Sequence, residues 1–348
     1  MAPISRALFR GRAAGSGPPA PGGDGPDEAA TQATAAGRFK PLSRYVSVAV
    51  LVGTVLLFSG LLPSTFPTLS NAKVMLTSES VILIMAVGVT FTLRLGDLDL
   101  SFASVMNLSC ALLAILTVQH HFNVLAAAVV ALAAGAGVGA VNALMVVRLK
   151  LNSFIATLGM QTALGGITYG ITGSQIVVGL PNSFLDFGRD SLLGIPLNVW
   201  YGWILCVVVW VVYEYTVYGR HLLFIGGNQT AARLAGIRVQ ADRTLAYVIS
   251  GVIYAFAGLI LAAVVGSADP SAGLEYLLPP LAGAFLGTTA IQLGRFNVWG
   301  TLVGVYLLMV ISTGLELLGA ASWVADVFDG AALIVAIGFA RLAIGRTE

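Results

Sequence analysis

About ten apolar stretches, most of them joined by short connections, fill this chain from Arg44 to Leu342. A helix needs roughly 20 such residues to cross a bilayer at 1.5 Å per residue. The stretches are 44–62, 74–95, 101–118, 123–147, 153–173, 199–218, 244–267, 276–293, 297–318 and 323–343. Hydrocarbon satisfies no backbone N–H or C=O, so a segment that enters it must pair its own backbone as a helix. Threaded alternately from an inside N-terminus, the stretches leave every Lys and Arg except Lys73 and Arg189 on the cytoplasmic side. Cytoplasmic loops retain positive charge, so the same pattern supplies an orientation. The expected fold is an all-α polytopic membrane protein with about ten spans and both termini inside. Pro279 and Pro280 make segment 276–293 compatible with a re-entrant course as well.

Of the 348 residues 57% are hydrophobic and 10% charged. Soluble domains carry roughly 25% charged residues, which excludes a water-soluble fold. The net charge of +2 is spread over short loops without a basic stripe, so no nucleic-acid partner is expected. Cys110 and Cys206 lie inside apolar stretches and read as small packing residues, and the three histidines form no ligand pattern. Neither a metal nor another cofactor is expected. Residues 1–43 differ in kind. The run Gly11–Gly37 is rich in Gly, Pro, Ala and Thr, and it reads as a disordered cytoplasmic tail because it has too little apolar surface to offset its ordering entropy. The run from Tyr45 starts too far along for a signal peptide and reads as an uncleaved first span. Residues 44–343 then form the transmembrane domain and 344–348 a short cytoplasmic end.

Glycines recur at four-residue spacing, as Gly135 with Gly139, Gly166 with Gly170, Gly283 with Gly287 and Gly300 with Gly304. Small residues at that spacing let helix backbones approach closely, so each pair reads as tight bundle packing. Two connections are long. The outer one, 174–198, carries Asp186, Arg189 and Asp190, and a loop of that length folds on itself or binds something. The inner one, 219–243, contains a short helix signature. Asn228 suits the N-cap, Ala231 to Ala235 favour helix, and Gly236 suits the position after the last turn. A helix of about two turns is unstable alone in water, so it docks on the protein's own helix ends or on a partner.

No Walker A sequence is present: none of Lys40, Lys73 and Lys150 has the preceding glycines or the following hydroxyl residue. The functional candidates are therefore polar residues in or near the spans, where lipid makes them costly. Asp97 and Asp99 sit at the inner junction of the second and third spans. There Asp99 caps the third helix and Arg94 neutralises the pair, or the two contact a solute. Asn107, Thr157, Gln161 and Thr162 lie within helices and line a path for a neutral polar solute or hydrogen-bond neighbouring helices. Glu79, Glu214 and Glu316 read as near helix ends.

Three stretches resemble the permease subunits of ribose-type ABC importers: Phe154-Ile-Ala-Thr-Leu-Gly159, Gly226-Gly-Asn-Gln-Thr-Ala-Ala-Arg-Leu-Ala-Gly-Ile237, and Gly-Asp97-Leu-Asp99-Leu-Ser101. Gly179-Leu-Pro-Asn-Ser-Phe184, Leu193-Gly-Ile-Pro196, Gly300-Thr-Leu-Val-Gly304, Gly314-Leu315 and Leu318-Gly319 fit the same family. The resemblance covers 44–343, and the 226–237 motif is its most specific part. It implies a permease in the bacterial inner membrane, paired with a second copy or paralogue, two ATPase subunits and an extracytoplasmic sugar-binding protein. The inner loop would supply the coupling helix through Gly227, Asn228, Ala231, Ala232, Arg233 and Gly236. Asp186, Arg189, Asp190, Asp269 and Glu275 would face the binding protein. Asp97, Asp99, Asn107, Thr157, Gln161 and Thr162 would belong to the gate or path.

The chain departs from the family pattern in places. Asp97 stands where the family has a glycine, Ala103 replaces the last glycine of that motif, and Leu277-Leu278-Pro279 occupies the place of a Glu-Leu-Asp. The expected function is import of a monosaccharide or similar polar solute, powered by a separate ATPase, so the chain itself is no enzyme. The alternatives are an ABC permease for a nucleoside or amino acid, an ATPase-independent secondary carrier, and a non-transporting membrane scaffold or sensor.

Overall fold

A computed structural model describes residues 45–321 and 323–344. The expected 1–43 tail and residues 345–348 lie outside them. The described chain is mostly helical. In order, its helices are α1 (Val46–Leu61), α2 (Leu69–Arg94), α3 (Phe102–Ala114), α4 (Val124–Ala143), α5 (Ser153–Thr172), α6 (Asn182–Arg189), α7 (Leu197–Tyr215), α8 (Val217–Gly227), α9 (Gln229–Leu234), α10 (Val239–Val265), α11 (Leu278–Gly287), α12 (Val298–Leu317) and α13 (Trp323–Ile344). Single π turns extend α3 to Gln119 and α4 to Arg148.

Among the described residues six helical stretches are long and apolar enough to cross a membrane: Leu69–Arg94, Phe102–Gln119, Val124–Arg148, Leu197–Tyr215, Val239–Val265 and Val298–Leu317. Helix α1 has 16 residues. Helix α5 has 20 residues and no charge, but Gln161, its threonines and its glycines hold its hydropathy below that of the six. The span expected over 276–293 is a helix of 10 residues, about 15 Å long. Pro279 and Pro280 sit in its first turn, where missing N–H groups cost nothing. After Gly287 the chain turns, and the Asn297 amide holds the turn by donating to the carbonyls of Gly287 and Ala290.

Helix α10, 27 residues and about 40 Å long, is the axis of the bundle. It packs against α2, α3 and α4. Gly135 and Gly139 of α4 press on Gly251 and the Tyr247 carbonyl of α10, with no room for a Cβ. Gly283 and Gly287 meet Gly304 and Gly300 in the same way, joining α11 to α12. The pair Gly166 and Gly170 differs from its expected packing: at both, the place a Cβ would take is open space within the subunit. Glu79 lies well inside α2, away from its ends.

The long connection 174–198 does fold on itself. It forms α6, a hairpin of β2 (Ser191–Leu192) with β3 (Ile195–Pro196), and β1 (Val177–Val178), which pairs antiparallel with β4 (Ser267–Ala268) beyond α10. These elements gather at the C-terminal end of α10. Arg148, Arg233 and Arg238 gather at its N-terminal end.

Candidate functional site

At the basic end, α2 stops at Arg94 and the backbone turns through Gly96, whose φ of +79° favours glycine. The elbow 95–101 that follows is fastened on three sides. Arg243, near the start of α10, grips Asp97 from Nη2 at 2.7 and 2.9 Å and from Nε at 3.2 Å. The two residues are only 9% and 7% exposed. The same guanidinium reaches Gln229 Oε1, in the first turn of α9, at 3.4 Å. On the second side, Leu98 N donates to Ser153 Oγ at 3.3 Å and Leu100 N to Thr157 Oγ1 at 2.9 Å, so the elbow rests on α5. On the third, Asn142 of α4 donates to Ser101 Oγ, which donates to Asp99 Oδ1, both at 2.7 Å.

This arrangement revises two sequence expectations. Arg94 does not neutralise the aspartates. Its Nε donates to the Phe296 carbonyl at 2.9 Å and its guanidinium lies 3.7 Å from the centre of the Tyr213 ring. A planar cation with an aromatic face available is held there instead. Asp99 does not cap α3 either. It accepts from the N and Oγ of Ser101 in a local turn, and Ser101 occupies the N-cap without a side-chain bond. Burial pushes the Asp99 carboxyl up to about 6, against the pull of the Ser101 bonds. Burial likewise raises Asp97, with Arg243 pulling it back.

The short helix α9 runs Gln229–Leu234. Asn228 Oδ1 accepts from Thr230 N and Ala231 N, and Gly236 takes φ +81° beyond the last turn, as the residues suggested. Ala232 is buried and anchors the helix, while Gly227, Asn228, Ala231, Arg233 and Gly236 are exposed. Leu234, which the sequence reading passed over, is 86% exposed. Open clefts flank α9. One of 920 Å³ lies between it and the ends of α2 and α8, and one of 900 Å³ is lined by Arg148, Arg233 and Arg238.

Of the six proposed path residues, Asn107, Gln161 and Thr162 meet in a cavity of 380 Å³ between α3, α5 and the segment 270–277. Asn107 Nδ2 donates to the Pro270 carbonyl at 2.8 Å, which brings that segment down over α3. The carbonyl oxygens of Asn107 and Gln161 are buried and have no partner among the described residues. Gln161 makes no side-chain hydrogen bond there at all. Among the described residues no charged side chain lines this cavity. Thr157, Asp97 and Asp99 are not part of it; they belong to the elbow. No periodicity in the sequence signalled Arg243 or Gln229 as the elbow's partners, because they come from distant segments.

At the opposite end, Asp186, Arg189, Asp190 and Glu275 are exposed and Asp269 is half-buried. Arg189 donates to the carbonyls of Val264 and Val265 at 3.0 Å and so closes the C-terminal turn of α10, where a cation suits the helix dipole. Asp269 accepts from Ser271 N and Oγ. Among the described residues no group of His, Cys, Asp and Glu has the arrangement of a metal site.

Residues 71–337 match the family described as branched-chain amino acid transport system / permease component. The chain is 35% identical over 295 residues to the ribose import permease protein RbsC of Escherichia coli strain K12, covering 84% of this chain and 91% of that protein. It is 32% identical to the L-arabinose ABC transporter permease protein AraH of Azospirillum brasilense, over 79% of this chain and 80% of the relative. It is 29% identical to the D-allose transport system permease protein AlsC of Escherichia coli strain K12, over 86% and 92%.

Proposed function

This chain belongs to the branched-chain amino acid transport system / permease component family, and from that premise we propose that it is the membrane permease subunit of a bacterial ABC importer for a monosaccharide. The observation that carries the solute class is the cavity of Asn107, Gln161 and Thr162. It offers amides and hydroxyls without a charge, as a neutral polyhydroxyl solute needs. An amino acid would bring an ammonium and a carboxylate, and nothing in that lining answers either. Relatives named for ribose, arabinose and allose support the same class.

The basic end faces the cytoplasm in this reading, with the Asp186 end outside. Segment 266–297, with α11 as its helical half, makes the eighth of ten crossings and keeps both termini inside. Helix α9 is the coupling helix and the energy comes from a separate ATPase. Exposed Leu234 and Arg233, between two open clefts, are the surface that ATPase grips. Nucleotide-driven closure then pushes α9 and switches the bundle between outward and inward access. The exposed side of α5, with Gly166 and Gly170 facing open space, takes a second permease copy, and Asp186, Asp190 and Glu275 meet the binding protein. The test is a Leu234→Cys chain assembled with its ATPase. A disulfide to a cysteine placed in the ATPase groove, lost on Arg233→Glu, supports the reading. Undiminished assembly and nucleotide response in Arg233→Glu contradicts it.

A further inference from the structure

We propose that the Asp97–Arg243 ion pair, braced by Gln229, is the strut that carries displacement of α9 to the wall of the solute cavity. The proposal rests on α9 being the coupling helix. The short helix buries Ala232 and is joined to α10 through Gln229, whose side-chain oxygen accepts from Arg243. Arg243 holds Asp97 by three bonds, all buried. A planar fork on a carboxylate resists both sliding and rotation, unlike a single contact. Asp97 belongs to the elbow, and the two elbow amides beside it, Leu98 and Leu100, are bonded to Ser153 and Thr157 of α5. One turn further along α5 from Thr157 stand Gln161 and Thr162, which line the cavity.

The route from ATPase surface to solute wall therefore runs through two buried charges, two backbone amides and one helix, with every joint a hydrogen bond or ion pair. No other residue of the elbow ties it to α9 or α10 by a side-chain bond among the described residues. Within the subunit, open space lies beside Gly159, Gly166 and Gly170 of α5, whereas α10 is locked to α4. Asp97 and Arg243 are positioning residues here: they touch no solute and act through α5. A strut of this kind is read out at the cavity itself, where α5 would move.

The experiment uses the full chain assembled with its ATPase in nanodiscs, with Thr162→Cys as reporter; native Cys110 and Cys206 are buried. Maleimide labelling is timed without nucleotide and after trapping with ATP and vanadate. We expect the two rates to differ about fivefold or more in the parent. Asp97→Asn and Arg243→Gln should abolish that difference while the Leu234→Cys crosslink to the ATPase is retained. The reversed pair, Asp97→Arg with Arg243→Asp, should recover it. A parent whose labelling ignores nucleotide contradicts the coupling reading itself. A parent that responds, beside variants that respond equally, overturns the strut alone. Gln229→Leu leaves the pair intact and covers the case in which the pair variants fail to assemble. A full response in Gln229→Leu, with assembly intact, also overturns the strut.

Discussion

Helices α10 and α5 carry glycine-based packing signals of the same kind and use them in opposite ways. Gly251 of α10 meets Gly135 and Gly139 of α4 backbone to backbone, and Gly258 presses on the Met106 carbonyl of α3. On α5, Gly159, Gly165, Gly166 and Gly170 all face open space. One helix is a fixed post at the centre of the bundle. The other is a wall held from a single side, by the elbow and by Ser104, whose hydroxyl donates to the Gln161 carbonyl at 2.9 Å. Small residues at helical spacing permit close approach without specifying what approaches. The contrast assigns stability to α10 and adaptability to α5.

The contrast breaks most easily at Arg243. Arg243→Met strands the Asp97 carboxylate in a buried place, and we expect a loss of about 3–5 kcal/mol in detergent unfolding. An unchanged midpoint would show that α10 is not anchored at the elbow. Gly139→Val drives a side chain into the Tyr247 carbonyl and should cost about 1–3 kcal/mol by the same assay. Asp99 supplies a pH test. Its folded-state carboxyl titrates at about 6 against an ordinary 3.8, so the folded chain holds the proton more tightly. Stability is then full below the ordinary value and declines as pH rises through the folded one. Asp99→Asn keeps the acceptor for Ser101 and cannot ionise. It should match the parent at low pH and exceed it above neutrality, and equal curves at both ends would remove burial of charge as the cause.

Smaller effects sharpen the periphery. Asn228→Ala removes both N-cap bonds of α9 and should weaken that helix by about 1 kcal/mol, read as faster amide exchange at Thr230 and Ala231 with the global midpoint unmoved. Gly166→Val should change monomer stability by less than about 0.5 kcal/mol. A loss as large as that of Gly139→Val would place an unseen neighbour on α5 within the subunit.

The sequence made some of this legible. Local chemistry gave α9 its N-cap at Asn228 and its terminating glycine at 236, because capping depends on residues three or four positions apart. The prolines at 279 and 280 were warning enough that 276–293 is not an ordinary span. Asn107, Gln161 and Thr162 were singled out by polarity alone, and they do share a cavity. Thr157 was grouped with them on the same ground, yet its hydroxyl serves the elbow backbone. The partner of Asp97 was misread because Arg94 is close in sequence and Arg243 is 146 positions away. A helix that ends at Arg94 aims that side chain at Tyr213, which no linear pattern reveals. The two glycine pairs on α4 and α5 looked alike because spacing does not record what lies opposite.

The most direct test of the whole account is solute uptake into liposomes containing this chain and its binding protein, with and without the ATPase subunit. ATP-dependent accumulation of a labelled monosaccharide is expected, lost when the ATPase is omitted and lost again with Arg233→Glu. Accumulation that proceeds without any nucleotide-hydrolysing partner would contradict it.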